Sequence, residues 1–156
     1  MKKLLGMALC LAPLVLFGQS SNPAGFHFWT KAQLEKAGTG PAAKAGGPHV
    51  MIDALGGENG QKYLMVHRDG RGDAEYHAVD EDVMFVEAGH GTLTYGGTLS
   101  NPRDTAANEK RAPGIQGGME KQLAPGDVVT IPANTPHQVT PRSGETIDYF
   151  VLKVHQ

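Results

Sequence analysis

From residue 49 onward, short apolar runs alternate with clusters of turn-forming residues. KYLMVHR at 62–68 and DVMFVE at 82–87 are typical runs, with Gly, Asn and Asp between them. Such punctuated runs predict β-strands, and further strands are predicted over 49–55, 74–78, 92–95, 120–123, 128–131, 137–140 and 146–154. Many short strands in succession indicate an all-β fold, either a barrel or a double-sheet jelly roll.

Residues 30–48 and residues 98–118 do not show this alternation of apolar runs and turns. Thr30-Lys-Ala-Gln33 has the pattern of a capping box, which predicts a short helix over 31–37 that ends at Gly38. The stretch 38–48 (GTGPAAKAGGP) offers no core candidates and is expected to run over the surface as a linker. The polar stretch 98–118 is long for a hairpin, and we interpret it as a lid over a site or as a surface excursion.

The first 21 residues have the layout of a secretory signal peptide. Met1-Lys2-Lys3 is basic, residues 4–17 are uncharged and mostly apolar, and small residues follow. The apolar run is too short to span a bilayer as a helix, and the alternative is an N-terminal core strand or helix. We therefore predict a signal peptide at 1–21, a helix and linker at 22–48 and one β-barrel domain at 49–156. The expected location is the periplasm or the exterior of the cell.

Composition narrows the classes of protein and partner. The chain has 21 glycines and 10 prolines in 156 residues, too many for a helical bundle, and 40% hydrophobic residues, too many for a disordered chain. Its single cysteine, Cys10, lies in the predicted signal peptide, so a disulfide framework and a cysteine-built zinc site are excluded. The net charge of −2 becomes −4 without Lys2 and Lys3, which argues against nucleic acid. No basic amphipathic stretch suggests a membrane partner after signal removal.

One motif near the C-terminus resembles the second motif of the cupin superfamily. Gly126-x5-Pro132-x-Asn134-x2-His137 reproduces the spacing and turn chemistry of that motif. Asn134 stands where glycine is usual, and asparagine is the next-best residue for a left-handed turn conformation. Together with the segment described next, the resemblance covers about residues 62–154 and implies a single cupin-type jelly-roll β-barrel with a short N-terminal helix.

The segment Glu75-x-His77-x4-Asp82-x6-Gly89 resembles the first cupin motif. Glu75 stands in place of the first histidine of that motif, and Asp82 in place of its glutamate. In cupins these positions are metal ligands, so the resemblance implies that Glu75, His77, Asp82 and His137 bind a divalent metal ion. Oxygen and nitrogen ligands without sulfur suit Mn, Fe(II), Zn or Ni.

The residue pattern is compatible with this ligand set but leaves alternatives open. Glu75 and His77 are two residues apart, so on a strand both project from one face, and a metal would compensate their burial. Glu75 is alternatively a partner that orients His77. Asp82, beside Asp80 and Glu81, is alternatively part of a solvated acidic corner. The remaining alternative is a barrel without metal.

Polar residues inside two apolar runs are further candidates. Lys153 and His67 are each a candidate general base, substrate-carboxylate clamp or group that orients a ligand, or else a strand residue that faces solvent. Tyr149 shares the parity of Lys153, and Tyr76 should face outward because it alternates with Glu75. We assign proton transfer to Glu75 or Lys153.

The resemblance implies a range of activities. The first hypothesis is a metal-dependent enzyme, of dioxygenase, isomerase or lyase type, acting on a small organic acid, a sugar derivative or an aromatic. The second is a module that binds a small ligand without chemistry. The third is a structural homodimer, since cupins often pair through sheet edges. The sequence has no phosphate loop, no dinucleotide fingerprint and no Gly-x-Ser-x-Gly elbow.

Overall fold

The computed structural model describes residues 22–156, which are almost entirely β. Within this range the chain forms one short helix, α1 (Lys31–Leu34), and fourteen strands: β1 (Lys44–Gly47), β2 (Val50–Gly56), β3 (Gln61–Arg68), β4 (Ala74–His77), β5 (Asp80–Gly89), β6 (Gly91–Tyr95), β7 (Thr98–Ser100), β8 (Arg103–Ala106), β9 (Glu109–Ala112), β10 (Gly114–Gln116), β11 (Met119–Leu123), β12 (Val128–Ile131), β13 (His137–Pro141) and β14 (Ile147–His155). The predicted signal peptide and Cys10 lie outside the described residues. No helix within residues 22–156 has the length and apolar character needed to cross a membrane.

Two large sheets dominate the part of the chain that the structure describes. The first has six strands in the order β1-β2-β3-β14-β5-β12, and the second has six in the order β11-β6-β13-β4-β9-β8. A two-stranded ribbon pairs β10 with β7. The strand pairs are antiparallel, and strands distant in sequence are neighbours, such as β14 between β3 and β5. This is the architecture of a double-sheet jelly roll, and the predicted all-β fold is confirmed.

The core lies between the two sheets because both contribute alternate residues to it. Along β14, Ile147, Tyr149, Val151 and Lys153 are buried, while the residues between them are half-buried. Strands of a half-buried sheet show this alternation. The core combines apolar residues from both sheets: Val50, Val66, Met84, Val86, Leu93, Leu123, Ile131, Val139, Ile147, Tyr149 and Val151. Lys153 therefore projects from the same face as the core.

The backbone conformation of two turns accounts for the residues there, Gly89 and Asn134. Gly89 has φ 75°, and a Cβ atom there would lie 1.9 Å from the carbonyl oxygen of Thr146, so no side chain fits. Asn134 has φ 65°, which confirms the predicted left-handed turn. Its backbone N–H donates to the carbonyl oxygen of His77 at 2.8 Å, so the turn before β13 is attached to the end of β4.

The N-terminal segment differs in part from the prediction. The capping box is present, with Thr30 and Gln33 bonding reciprocally. The helix ends at Leu34, earlier than predicted, and Ala37 is buried. The stretch 38–48, expected to be a linker on the surface, contains the strand β1, which pairs with β2. All four residues of β1 are exposed, so backbone hydrogen bonds hold this edge strand and no apolar pattern marks it.

The polar stretch 98–118 also forms strands. It contains β7, β8, β9 and β10, and β9 pairs with β4 in the second sheet. Our interpretation of the stretch as a lid or a surface excursion was therefore wrong. Its strands escaped prediction because β9 carries the sequence EKRA, whose charged side chains do not show the apolar alternation of a core strand.

Candidate metal centre

The second sheet brings three predicted ligands together through its register. Glu75 on β4 lies directly opposite His137 on β13 and opposite Arg111 on β9. His77, two residues after Glu75, lies opposite Glu109 on β9. Side chains of directly opposed residues are neighbours in a sheet. Three adjacent strands thus place two imidazoles, two carboxylates and a guanidinium in one patch.

The first sheet faces this patch with charged residues of its own. Asp82 on β5 lies opposite Lys153 on β14, and Lys153 Nζ donates to Asp82 Oδ1 at 2.5 Å. Arg68 at the end of β3 is 2% exposed, and its Nε donates to the hydroxyl oxygen of Tyr149 at 2.6 Å. Arg68 also donates to Glu75 through Nη2, which links the two sheets.

The four predicted ligands converge between the sheets. One ligand atom each of Glu75, His77 and His137 lies within 4.8 Å of the other two. Asp82 Oδ2 lies 3.4 Å from Nε2 of His77 and 3.5 Å from Nε2 of His137. Glu75 Oε2 lies 3.7 Å from Nε2 of His77. Two imidazole nitrogens and two carboxylate oxygens therefore surround one small volume.

The hydrogen bonds of the two histidines turn their Nε2 atoms toward this volume. Nδ1 of His77 lies 2.5 Å from Glu109 Oε2, and Nδ1 of His137 lies 3.0 Å from the carbonyl oxygen of Thr135. A carbonyl oxygen or an ionised carboxylate only accepts, so each Nδ1 carries a proton, and in the neutral imidazole Nε2 then keeps its lone pair. Metal-binding histidines are oriented in this way.

One buried nitrogen beside this volume lacks a hydrogen-bond partner within residues 22–156. Nε2 of His77 is buried and has no hydrogen-bond partner among the described residues. A buried polar atom without a partner costs free energy, and a metal ion at the convergence point would supply that partner. Two imidazoles with two carboxylates fit Mn, Fe(II), Zn or Ni. The residues present therefore fit the divalent metal implied by the sequence.

Neighbouring charges keep both carboxylates ionised. Burial opposes ionisation of Glu75, but the charges of Arg68 and Arg111 outweigh it and lower the pKa of Glu75 to about 2. Burial would likewise raise the pKa of Asp82, but its contacts with His137, His77 and Lys153 hold that pKa well below its usual range. Both carboxylates are thus charged at neutral pH and suitable as metal ligands.

A cavity of about 100 Å³ adjoins the four residues. Both charged and aliphatic side chains line it. Its lining consists of Arg68, Glu75, His77, Asp82, Glu109, Arg111, His137, Tyr149 and Lys153 with Val50, Ile52, Leu64, Val66, Met84, Val139 and Val151. The cavity has room for a small molecule beside a metal ion.

Solved structures of cupin proteins share this architecture. The iron(II) form of HppE matches with a TM-score of 0.57 and 13% identity over 85% of this chain and 62% of that chain. The Streptomyces protein PAC13, solved with uridine, matches with a TM-score of 0.53 and 9% identity over 78% of each chain. KdgF from Halomonas matches with a TM-score of 0.51 and 12% identity over 73% of this chain and 88% of that chain. The chain has the cupin fold.

Sequence comparison adds nothing to this cupin assignment. No protein-family model and no curated protein matches the chain. The identities of 9–13% show a shared fold alone. The chemistry of this chain must therefore be argued from its own residues.

The structure shows whether each of the other candidate residues faces the space between the two sheets or points away from it. Asp82 is 6% exposed inside β5, so it is not part of a solvated acidic corner. Lys153 is 9% exposed and faces the cavity rather than solvent. Tyr149 shares this face, as its parity predicted. His67 lies on the opposite face, where it pairs with Asp148 at 2.6 Å.

Three cavity residues were missed by the sequence analysis. Glu109 and Arg111 lie on β9, inside the stretch that showed no strand pattern. Arg68 shares the inward parity of Leu64 and Val66, which was a usable signal in KYLMVHR. His67 was the candidate predicted in this run, whereas Arg68, the residue after it, lines the cavity. All three are charged residues that contact a predicted ligand or its partner.

Proposed function

We propose that the protein is a metal-dependent cupin enzyme that acts on a small organic acid, a sugar derivative or an aromatic. Dioxygenase, isomerase and lyase chemistry all fit a metal with open coordination positions. The buried, unpartnered Nε2 atom of His77 carries this proposal, because it faces His137, Glu75 and Asp82 across the convergence point. HppE is an iron(II) protein of the same fold, which is compatible with this proposal.

His77, His137, Asp82 and Glu75 would hold the ion. When bound, a divalent metal polarises a substrate oxygen or activates dioxygen. Glu109 fixes the ring of His77 through Nδ1, and Lys153 occupies Oδ1 of Asp82, so that Oδ2 faces the histidines. These contacts orient the ligands before substrate arrives.

The two residues proposed for proton transfer are not equally suited to it. Glu75 has a pKa of about 2 because Arg68 and Arg111 offset its burial, so it is a weak base at neutral pH. Lys153 carries protons on Nζ, lines the cavity and lies 2.5 Å from Asp82. We therefore assign proton donation to Lys153 and charge balance or metal ligation to Glu75.

Metal analysis tests the proposal. Protein of residues 22–156 is loaded anaerobically with Mn, Fe(II), Zn and Ni in turn, desalted and analysed for metal content. We expect one ion per chain for at least one metal, and loss of that ion in His137→Ala. His90→Ala is the matched control, since His90 pairs with Glu145 near the surface. A wild-type protein with no stoichiometric metal would overturn the proposal.

The second hypothesis, a binding module without chemistry, also has support. Four protein ligands saturate a four-coordinate ion such as Zn, and a saturated ion is structural. Water proton relaxation of the Mn(II)-loaded protein separates the two ideas. An exchangeable water on the ion is expected for the enzyme, and its absence favours the binding module.

A further inference from the structure

The charged groups that line the cavity cancel one another. Among the described residues, its lining has three acidic side chains, Glu75, Asp82 and Glu109, and three basic ones, Arg68, Arg111 and Lys153. Each acidic group lies beside a basic one: Glu75 beside the two guanidiniums, Asp82 beside Lys153, and Glu109 at 3.4 Å from Arg111. Before any metal binds, the formal charge of this lining is zero.

This cancellation changes what a metal ion would do to the cavity. Where two ligand carboxylates are unpaired, they neutralise a divalent ion. Here Arg68, Arg111 and Lys153 already offset the carboxylates, so the ion would leave a charge of +2 in a largely buried site. An uncompensated charge of this kind is costly away from water. An anionic ligand would supply part of the compensating charge, since one carboxylate lowers the charge from +2 to +1.

We infer that the ligand of this site is a small carboxylic acid, bound as its anion with Arg111 contacting the carboxylate. The inference rests on the proposed metal centre and selects one of its three substrate classes. The cavity of about 100 Å³ limits the ligand to a few carbon atoms.

Arg111 is the guanidinium best able to reach a ligand. Its side chain is 21% exposed, whereas that of Arg68 is 3% exposed. Arg68 donates through Nε to Tyr149 and through Nη2 to Glu75, and its Nη1 is buried beside Gly72. Arg68 and Arg111 both also border a second cavity of about 190 Å³. A guanidinium has five N–H groups, so the three contacts of Arg111 with described residues leave donors to spare.

The uncharged part of the cavity argues against a sugar. Seven of the lining side chains are aliphatic, and they lie on the strands of both sheets: Val50, Ile52, Leu64, Val66, Met84, Val139 and Val151. A sugar buried there would leave hydroxyl groups without hydrogen-bond partners, at a cost for each. A carboxylate on a short apolar body matches a lining that combines charged and aliphatic side chains.

A matched pair of ligands tests the inference. 2-Hydroxyisobutyrate and its uncharged isostere 2-hydroxyisobutyramide are titrated by calorimetry into protein with and without Mn(II). We expect the acid to bind the Mn(II) form about tenfold or more tightly than the amide, because a charge-assisted hydrogen bond is lost in the amide. Without metal the preference should shrink, since the lining is then neutral. An acid that binds the loaded protein no better than the amide overturns the inference.

Substitution of Arg111 should change the affinity for the acid and the affinity for Mn(II) in opposite directions. Arg111→Met should weaken binding of the acid about tenfold and at the same time tighten Mn(II), because Glu75 and Glu109 lose a cation. Arg111→Lys keeps the charge and should retain part of the preference. Lys110→Met is the matched control, because Lys110 lies on the same strand as Arg111, pairs with Asp104 on β8 and is outside the cavity lining. Loss of both affinities in Arg111→Met would indicate collapse of the site and contradict the assigned role.

The outcomes separate this inference from the proposed function. Protein that loads one Mn(II) per chain but does not distinguish acid from amide retains the metal centre and loses the substrate class. Protein that loads no metal overturns both.

Discussion

Single hydrogen bonds at Nδ1 orient the two buried histidines. Nδ1 of His77 faces a carboxylate oxygen of Glu109, and Nδ1 of His137 faces a backbone carbonyl. The backbone partner cannot be changed by substitution, but Glu109 can. Glu109 is therefore the residue through which the orientation of a proposed ligand is best tested.

Glu109→Gln should lower metal affinity about 10- to 100-fold. A glutamine amide can donate as well as accept, so it no longer holds the proton on Nδ1 of His77. Competition with a chromophoric chelator measures the affinity. Glu120→Gln, on an exposed position of β11, is the control and should leave the affinity unchanged. Equal affinities for the two variants would contradict the orienting role.

Tyr149 should ionise far later than an ordinary tyrosine. Burial raises its pKa, the charge of Arg68 opposes this, and the resulting pKa is about 12 instead of 10.0. Because the folded pKa lies above the unfolded one, the stabilising effect is complete below pH 10 and is lost as the pH rises through 12. Ultraviolet titration of tyrosinate should show one late step among the four tyrosines. Tyr149→Phe should abolish that step; its persistence would refute the assignment.

The N-terminal segment covers the outer face of the first sheet. Trp29 lies 5.1 Å from the ring of Tyr63 on β3 and 5.8 Å from that of Phe150 on β14, and it stacks on His27 at 5.4 Å. Aromatic pairs at these separations stabilise beyond the area they bury. The segment thus shields strand residues that face away from the core.

Trp29→Ala should lower the free energy of unfolding by about 2 kcal/mol, since it removes a half-buried ring with three aromatic contacts. Urea denaturation followed by circular dichroism measures the change. Phe28→Ala is the matched control, because Phe28 is 71% exposed and should change stability little. A similar loss in both variants would argue against docking through Trp29.

The candidate site exists only where the two sheets meet. Glu75, His77 and His137 come from one sheet, whereas Asp82 and Lys153 come from the other. Metal binding would therefore link the sheets and stabilise the fold as any ligand of the native state does. The homodimer expected from the sequence remains a prediction, and the edge strands β1, β12, β11 and β8 are where it would form.

Export of the protein is a prediction from residues 1–21 alone. Expressed with its leader in a Gram-negative host, the protein should reach the periplasm with a mass reduced by about that leader. Fractionation and intact mass spectrometry measure both. Leu11→Arg places a charge in the apolar run and should leave uncut protein in the cytoplasm. Uncut wild-type protein in the cytoplasm would refute the signal peptide.

The sequence predicted the features that depend on neighbouring residues, namely strands, turns and motifs. The pattern of apolar residues predicted β3, β5 and β14, and turn residues predicted where these strands end. Asn134 predicted a left-handed turn. The two motifs named Glu75, His77, Asp82 and His137, which the structure brings together. Their roles as ligands remain predictions.

Pairing between distant strands could not be derived from local pattern. The edge strand β1 and the charged strand β9 are held by backbone hydrogen bonds to β2 and β4, so they need no apolar alternation. Glu109 and Arg111 became site residues only through that pairing. Lys153 met Asp82, 71 residues away in sequence, only because β14 lies beside β5.

The amino-acid pattern thus specified the strands, the turns and the candidate ligands, because propensity and burial act on neighbouring residues. The folded arrangement of the sheets settled the charge around those ligands. Lys153 meets Asp82 and Arg111 meets Glu75 only through strand pairing within each sheet, and Arg68 meets Glu75 only because the two sheets face one another. The electrostatic balance of the cavity, and hence the anionic ligand we infer, follows from that packing, because Coulomb interactions depend on distance in space and not along the chain.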